Sequence, residues 1–139
     1  MQLYCDGAYS KKPRSAGVGV SFVFKGHQFD LSLGVTPDDS NLVEMEAVSC
    51  GLKFLKDSVG NDAASAMDVV VVTDSDFVLR SEASDSEQWQ RLSGDFLSFK
   101  NVSFRVVKGH KGSRSPDSLA NEHVDRLAKK AMRKQQLAL

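Results

Sequence analysis

Met67-Asp68-Val69-Val70-Val71-Val72-Thr73-Asp74 is an almost unbroken apolar run that ends on a hydroxyl and a carboxylate. A strand with one wet face alternates apolar and polar side chains. A run without alternation predicts a strand covered on both faces, as in a sheet that is at least partly parallel. Upstream, residues 2–5 form a short apolar strand, and Gly7, Ser10 and Pro13 predict a turn after it. Residues 17–24 are rich in β-branched and aromatic side chains, Lys25-Gly26 turns the chain, and residues 28–35 alternate with Phe29, Leu31 and Leu33 on one side. These three segments predict an antiparallel meander. Pro37 and then Asp39-Ser40-Asn41 predict the start of a helix that runs to about Ser58 and stops at Gly60. Downstream of Asp74 the pattern predicts short helices over 75–82 and 86–97, a strand over 102–107, a loop over 109–118, and a last helix from Asp117 or Ser118 to Gln135. The order β-β-β-α-β-α-α-β-α is an α/β architecture with a five-stranded mixed sheet and helices packed on it.

The chain has 139 residues, 41% hydrophobic and 26% charged, which predicts one soluble globular domain over 1–139. No apolar run approaches the ~20 residues of a membrane helix. The first residues carry no basic segment followed by a long apolar stretch, so no signal peptide is expected. The two cysteines, Cys5 and Cys50, form no ligand cluster and no disulfide framework, and are expected to be reduced, packed thiols of a cytoplasmic monomer. Net charge is zero but unevenly spread. Residues 1–37 hold four basic and two acidic side chains, residues 38–99 four and thirteen, and residues 100–139 ten and three. That asymmetry points to a polyanionic partner, or else to a merely solvated basic helix.

Four carboxylates draw attention. Asp6 and Asp74 each follow an apolar strand, where open α/β sheets gather their sites. Either is also compatible with ordinary turn or capping chemistry. At ~100° per residue Glu44 lines up with Val48, Gly51 and Leu55, near the apolar stripe, while Glu46 falls on the wet side. Asn41-x-x-Glu44 is equally compatible with a capping box. In the last helix Ala120, Val124, Leu127 and Ala131 make the expected buried stripe, with Asp125 at its edge and Glu122 placed to pair with Arg126. An edge carboxylate of this kind is often half of an ion pair. Taken together the four have a sharper meaning if they meet. Unit negative charges ~4 Å apart repel by about 4 kcal/mol at an effective dielectric of 20, so such a cluster ionises only around cations. All-oxygen ligation suits Mg²⁺ or Mn²⁺, and a pair of such ions can activate water and stabilise the leaving oxygen of a phosphodiester.

The motifs resemble those of the type 1 ribonucleases H, in order and over most of the chain. Asp6-Gly7-Ala8 resembles the family's Asp-Gly-Ser/Gly/Ala after its first strand, and Asn41-Leu42-Val43-Glu44-Met45-Glu46-Ala47 its Asn-x-x-Glu-x-x-Ala. Thr73-Asp74-Ser75 resembles its Thr-Asp-Ser, Gly109-His110-Lys111-Gly112 its Gly-His-x-Gly loop, and the segment from Asn121 through Asp125 to Ala128 its Asn-x-x-x-Asp-x-Leu-Ala. Trp89-Gln90-Arg91-Leu92 is similar to bacterial members. The resemblance implies an endoribonuclease that cuts the RNA strand of RNA–DNA hybrids to 3′-hydroxyl and 5′-phosphate ends. It implies that Asp6, Glu44, Asp74 and Asp125 bind two Mg²⁺ ions, or Mn²⁺ in their place. It further implies that His110 assists proton transfer or product release, that Tyr9, Lys12 and Asn41 touch the RNA strand, and that Ser75 supports the DNA strand or the site. His27 and His123 are assigned no role. Two departures stand out. Only 35 residues lie between Asp74 and His110, and residues 81–87 are acidic, so the basic handle of many bacterial members is expected to be missing. Lys108, Lys111 and Arg114, and Lys129, Lys130, Arg133 and Lys134, are candidates to replace its grip. The loop after His110 is also longer than usual, and Asp76 stands where a neutral or basic residue is expected. A non-catalytic hybrid- or duplex-binding module and a DNA nuclease on the same fold are the alternatives.

Overall fold

The computed structural model describes residues 1–36, 39–108 and 114–139. Strands β1 (Gln2–Lys11), β2 (Arg14–Phe24) and β3 (His27–Gly34) are followed by helices α1 (Ser40–Val59) and α2 (Asn61–Ser65). Then come β4 (Asp68–Thr73), α3 (Phe77–Ala83), α4 (Glu87–Ser93) with a 3₁₀ turn (Gly94–Ser98), β5 (Asn101–Val106) and α5 (Pro116–Leu137). The sheet order is β3-β2-β1-β4-β5. The meander β1-β2-β3 is antiparallel, and β1-β4 and β4-β5 are parallel. The mixed five-stranded sheet is the expected one, and the unbroken run of β4 lies second from an edge with Val69, Val71, Val72 and Thr73 all buried.

Several boundaries differ from the sequence pattern, among them the start of β2 at Arg14 instead of Gly17. β1 does not stop at Cys5. It continues to Lys11, paired through Gly7↔Val18, Tyr9↔Ala16 and Lys11↔Arg14, and turns only at Lys12-Pro13. Gly7 is thus a strand residue, and it permits close approach: a Cβ there would lie 2.8 Å from Cγ1 of Val43 on α1. The short helix α2 was not expected. The helix expected over 86–97 is α4 plus the 3₁₀ turn. Finally, α5 begins at Pro116, with the Ser115 hydroxyl accepting the Ser118 N–H at 3.1 Å, a serine N-cap with proline at the first helical position.

Strand alternation sorts the two helical layers. Leu3 and Cys5 of β1 and Val18, Val20 and Phe22 of β2 point to the α1 side, where they join Val48, Leu52 and Leu55 in the core. Gly17 and Gly19 point to the other side, under α5. A Cβ at Gly19 would sit 2.2 Å from the Val124 carbonyl oxygen, and one at Gly17 2.4 Å from that of Ala128. Helix α5 therefore rests directly on the β2 backbone. Its buried stripe is Asn121, Val124, Ala128 and Ala131, rotated from the expected one, with Ala120 and Leu127 at the flanks. Trp89, Phe96 and Phe104 pack edge-on and tilted at centroid distances of 5.4–5.8 Å, tying α4 and the 3₁₀ turn to β5.

Candidate active site

Parallel pairing of β1 and β4 runs Gln2↔Val70, Leu3↔Val71, Tyr4↔Val72. Carried on in the same register, it sets Asp6 opposite Asp74 at the carboxyl end of both strands. Asp6 is 3% exposed, while Asp74 is open to solvent. Glu44 arrives from the first turns of α1. The helix is capped by Asp39, whose Oδ1 accepts the N–H groups of Asn41 at 2.8 Å and Leu42 at 2.9 Å. Asp39 therefore takes the capping role, and Glu44 is turned to the strands instead of back onto Asn41 as a capping box would require. Glu46, as expected, is exposed.

Carboxylate oxygens of Asp6, Glu44 and Asp74 all lie within 4.8 Å of one another. The Gly7 N–H donates to Asp6 Oδ1 at 2.9 Å and also faces the Glu44 carboxylate. Asp125 approaches from α5 closely enough to act on the Asp6 carboxyl, but its Oδ2 is held by Lys129 Nζ at 3.0 Å, and it stands outside the tight trio. The i+4 ion pair of α5 is thus Asp125–Lys129; among the described residues Glu122 and Arg126 make none.

The electrostatics are those of a cluster awaiting positive charge. Burial, then the charges of Glu44, Asp74 and Asp125, push the Asp6 carboxyl up to about 9. Burial and then Asp74 push Glu44 up to about 8, against the pull of the Gly7 N–H. Asp74, exposed at its outer edge but packed against the other carboxylates on its inner side, is also raised, with this partial burial the largest cause and the Asn121 side-chain amide pulling the other way. Asn121, 8% exposed, heads the Asn-x-x-x-Asp motif and is a further residue of the site, one to which the motif alone gives no separate role. Two signals mark it in the sequence: that motif, and a polar side chain one turn before Asp125 on the same helix face.

The remaining candidates are spread along the surface. Asn41 is exposed at the start of α1, one turn before Glu44. Ser75 Oγ accepts the Phe77 N–H at 3.3 Å in the turn between Asp74 and α3, whose N-cap is Asp76. Tyr9 is half-buried, its ring against the core, and Lys12 is exposed in the β1–β2 turn. Lys12 is six strand residues beyond Asp6, ~20 Å at 3.3 Å per residue. His110 lies outside the described residues. His123 acquires a structural partner: its Nε2 meets Asp30 Oδ2 at 2.9 Å, and Ser21 Oγ donates to Asp30 Oδ1 at 2.7 Å, linking α5 to β2 and β3. No helix of the described residues is long and apolar enough to cross a membrane.

Comparison with known proteins agrees with this geometry. The RNase H family model matches residues 1–133. A ribonuclease H of Desulforamulus reducens is 31% identical over 157 positions, covering 99% of this chain and 90% of the relative. One from Bartonella quintana is 30% identical, covering 95% and 88%. The alignments are longer than the chain, so these relatives carry segments absent here. Among solved structures, LC11-RNase H1 in complex with an RNA/DNA hybrid superposes with a TM-score of 0.75 at 20% identity, over 97% of this chain and 98% of that one. RNase H1 from Halobacterium salinarum superposes with a TM-score of 0.73 at 21% identity, over 96% and 97%. The solved structures carry the fold, while the family model and the curated relatives carry the kinship: this chain belongs to the ribonuclease H family.

Proposed function

We propose that the chain is a single-domain endoribonuclease that hydrolyses the RNA strand of RNA–DNA hybrids, using two Mg²⁺ or Mn²⁺ ions held by Asp6, Glu44, Asp74 and Asp125, and leaves 3′-hydroxyl and 5′-phosphate ends. The observation that carries this is the convergence of three carboxylates from β1, α1 and β4 to within 4.8 Å of one another, with a fourth beside them on α5. The donor set fits hard divalent cations: every ligand is oxygen, and the crowding that raises Asp6 and Glu44 is what a bound cation would relieve. Bound there, the ions supply an activated water and a stabilised leaving oxygen.

The chain's own groups do the rest. The Gly7 N–H fixes Asp6 Oδ1, and the Asn121 amide steadies Asp74, so two of the carboxylates are held before substrate arrives. Asp125 joins them from α5, with Lys129 paired to its Oδ2. Asn41, Tyr9 and Lys12 lie along the path of the RNA strand, where contacts to the 2′-hydroxyl separate RNA from DNA. Ser75 orders the backbone beside Asp74. His110 is assigned proton transfer or product release, work suited to the imidazole pKa.

The test is cleavage of matched RNA–DNA, RNA–RNA and DNA–DNA duplexes by wild type and Asp74→Asn, with Mg²⁺ and with EDTA. Only the hybrid should be cut, only by wild type, and only with the metal. An Asp74→Asn protein that cuts at the wild-type rate refutes the metal assignment. Hybrid binding without turnover in either Mg²⁺ or Mn²⁺ would favour a binding module instead.

A further inference from the structure

Helix α5 brings Asn121 and Asp125 to the carboxylates, and both stand in line with a third side chain outside the site. Asp117, Asn121 and Asp125 recur at four-residue spacing, ~40° apart around the helix, and so form one stripe toward the sheet. The sheet beneath is laid out at a matching interval. Parallel pairing puts Tyr4, Val72 and Arg105 side by side in one row. Asp6 and Asp74 stand two residues further along their strands, ~7 Å on and on the same face. Four helical residues advance ~6 Å. One turn of α5 therefore spans one row: with Asp117 over Tyr4 and Arg105, Asn121 reaches the row of Asp6 and Asp74, and Asp125 follows a turn later.

The contacts agree with this spacing. Two strands hold Asp117 at once, from either side of Val72: Arg105 Nε and Nη2 donate to its two oxygens at 3.0 and 2.9 Å, and the Tyr4 hydroxyl donates to Oδ1 at 2.8 Å. The pairs Arg80–Asp76, Arg91–Glu87 and Lys129–Asp125 each lie within one helix at four-residue spacing. Arg105–Asp117 instead joins a strand to a helix, and its side chains, 39% and 27% exposed, are the most sheltered of these four pairs. One turn on, the buried Asn121 acts on Asp74. The later turns are held elsewhere. Val124 and Ala128 rest on Gly19 and Gly17, Ser32 Oγ donates to the Leu127 carbonyl at 2.6 Å, and the Gln135 side chain accepts the Ala16 N–H at 2.8 Å and donates to the Val35 carbonyl at 3.0 Å. Those contacts keep α5 on β2 and β3, whereas the Asp117 seat fixes the turns that carry Asn121 and Asp125 over β1 and β4.

We infer that Asp117, gripped by Arg105 and Tyr4, is a positioning residue for the metal site: it sets the height and rotation of the first turns of α5, so that Asn121 meets Asp74 and Asp125 meets Asp6 before an ion arrives. The inference rests on the carboxylates as a divalent-metal site and on the hydrolysis proposed above. Asp117 acts through Asn121 and Asp125. Groups that orient metal ligands in this way are typically worth ~10–100-fold in metal affinity or activity.

The experiment compares Asp117→Ala, Asp117→Asn and Arg105→Gln with wild type and with Ser32→Ala, which removes an anchor of α5 on the β3 flank. Three quantities are read: Mn²⁺ binding without substrate, from the electron paramagnetic resonance of the free ion; amide hydrogen exchange over residues 120–125 in EDTA; and kcat and KM for an RNA–DNA hybrid in Mg²⁺. Asp117→Ala should weaken Mn²⁺ binding about tenfold and lower kcat at fixed Mg²⁺, with KM for the hybrid little changed. Exchange over 120–125 should quicken, because those turns lose their seat. Asp117→Asn, which keeps an acceptor oxygen, and Arg105→Gln should fall between Asp117→Ala and wild type. Ser32→Ala should lower the melting temperature and leave Mn²⁺ binding as it is. Wild-type Mn²⁺ binding by Asp117→Ala, or equal losses of Mn²⁺ in Asp117→Ala and Ser32→Ala, overturns the proposal, whether or not wild type cuts the hybrid. If wild type binds Mn²⁺, Asp117→Ala binds it weakly, and neither cuts RNA, the positioning role stands and the hydrolytic reading falls.

Discussion

Asp6 is buried between two further carboxylates, and that couples stability to pH and to metal. Its folded pKa of about 9, and that of Glu44 of about 8, lie above the values near 4 expected of an unfolded chain. A carboxyl raised by folding leaves stability intact below its unfolded pKa and withdraws it as pH climbs to the folded one. In EDTA the melting temperature should therefore fall between about pH 4 and pH 9, and Mg²⁺ should restore it. Asp6→Asn should melt several degrees higher than wild type in EDTA at pH 8, gain little from Mg²⁺, and cut nothing. If wild type and Asp6→Asn melt together there, the crowding is not felt. Gly19 sets a second limit at this scale. Gly19→Ala pushes a methyl into the Val124 carbonyl and should cost about 1–3 kcal/mol, read by denaturant unfolding, with a further drop in activity because the same turn of helix carries Asp125. Asp6, Glu44 and Asp74 were legible because each combines a carboxylate with an apolar context. Asn121 stood in a motif, but its role was not legible, since a polar side chain inside a helix reads as surface unless the partner it faces, here Asp74, is known.

At the scale of elements, α5 is seated by its first turn. Arg105 at the end of β5 donates through Nε and Nη2 to both oxygens of Asp117, at 3.0 and 2.9 Å, and the Tyr4 hydroxyl of β1 donates to Oδ1 at 2.8 Å. The Arg105 guanidinium and the Tyr4 hydroxyl hold the Asp117 carboxyl below the usual carboxylate range, against a smaller opposing effect of burial. A depressed pKa gives stability that is present above the unfolded value near 3.9 and lost as pH falls through the folded one. Asp117→Asn should accordingly destabilise at pH 7 and lessen the fall in stability below pH 4. The effect should stay under about 1 kcal/mol, because the pair is partly solvated, and should shrink in salt. Equal acid sensitivity in wild type and variant would remove the pair from this account. The elements themselves were largely readable. β4 betrayed itself by its lack of alternation, and α1 by its Asp39 cap and Gly60 stop. The extension of β1 was not readable, because Gly7, Ser10 and Pro13 carry turn chemistry that a long β2 ladder overrides. Nor was α2: five residues hold too few hydrogen bonds to stand alone, and the burial of Ala64 in the tertiary structure helps to fix them.

Across the whole molecule, the sheet divides charge as well as layers. The helices α1 to α4 belong to the acidic stretch 38–99, with thirteen acidic and four basic residues, while the basic half of α5 lies on the opposite face. The imbalance was visible in the sequence. Its placement was not, because only the crossover of β4 to the far side of β1 puts α1 and α5 on opposite sides. A molecule with separated poles carries a permanent electric moment, so a polyanion meets it already rotated toward its cationic side before any contact forms. Raising ionic strength should then act first on how fast hybrid and protein find each other: stopped-flow association rates should drop steeply with salt while dissociation rates change less. A neutral overall charge thus does not mean an indifferent approach.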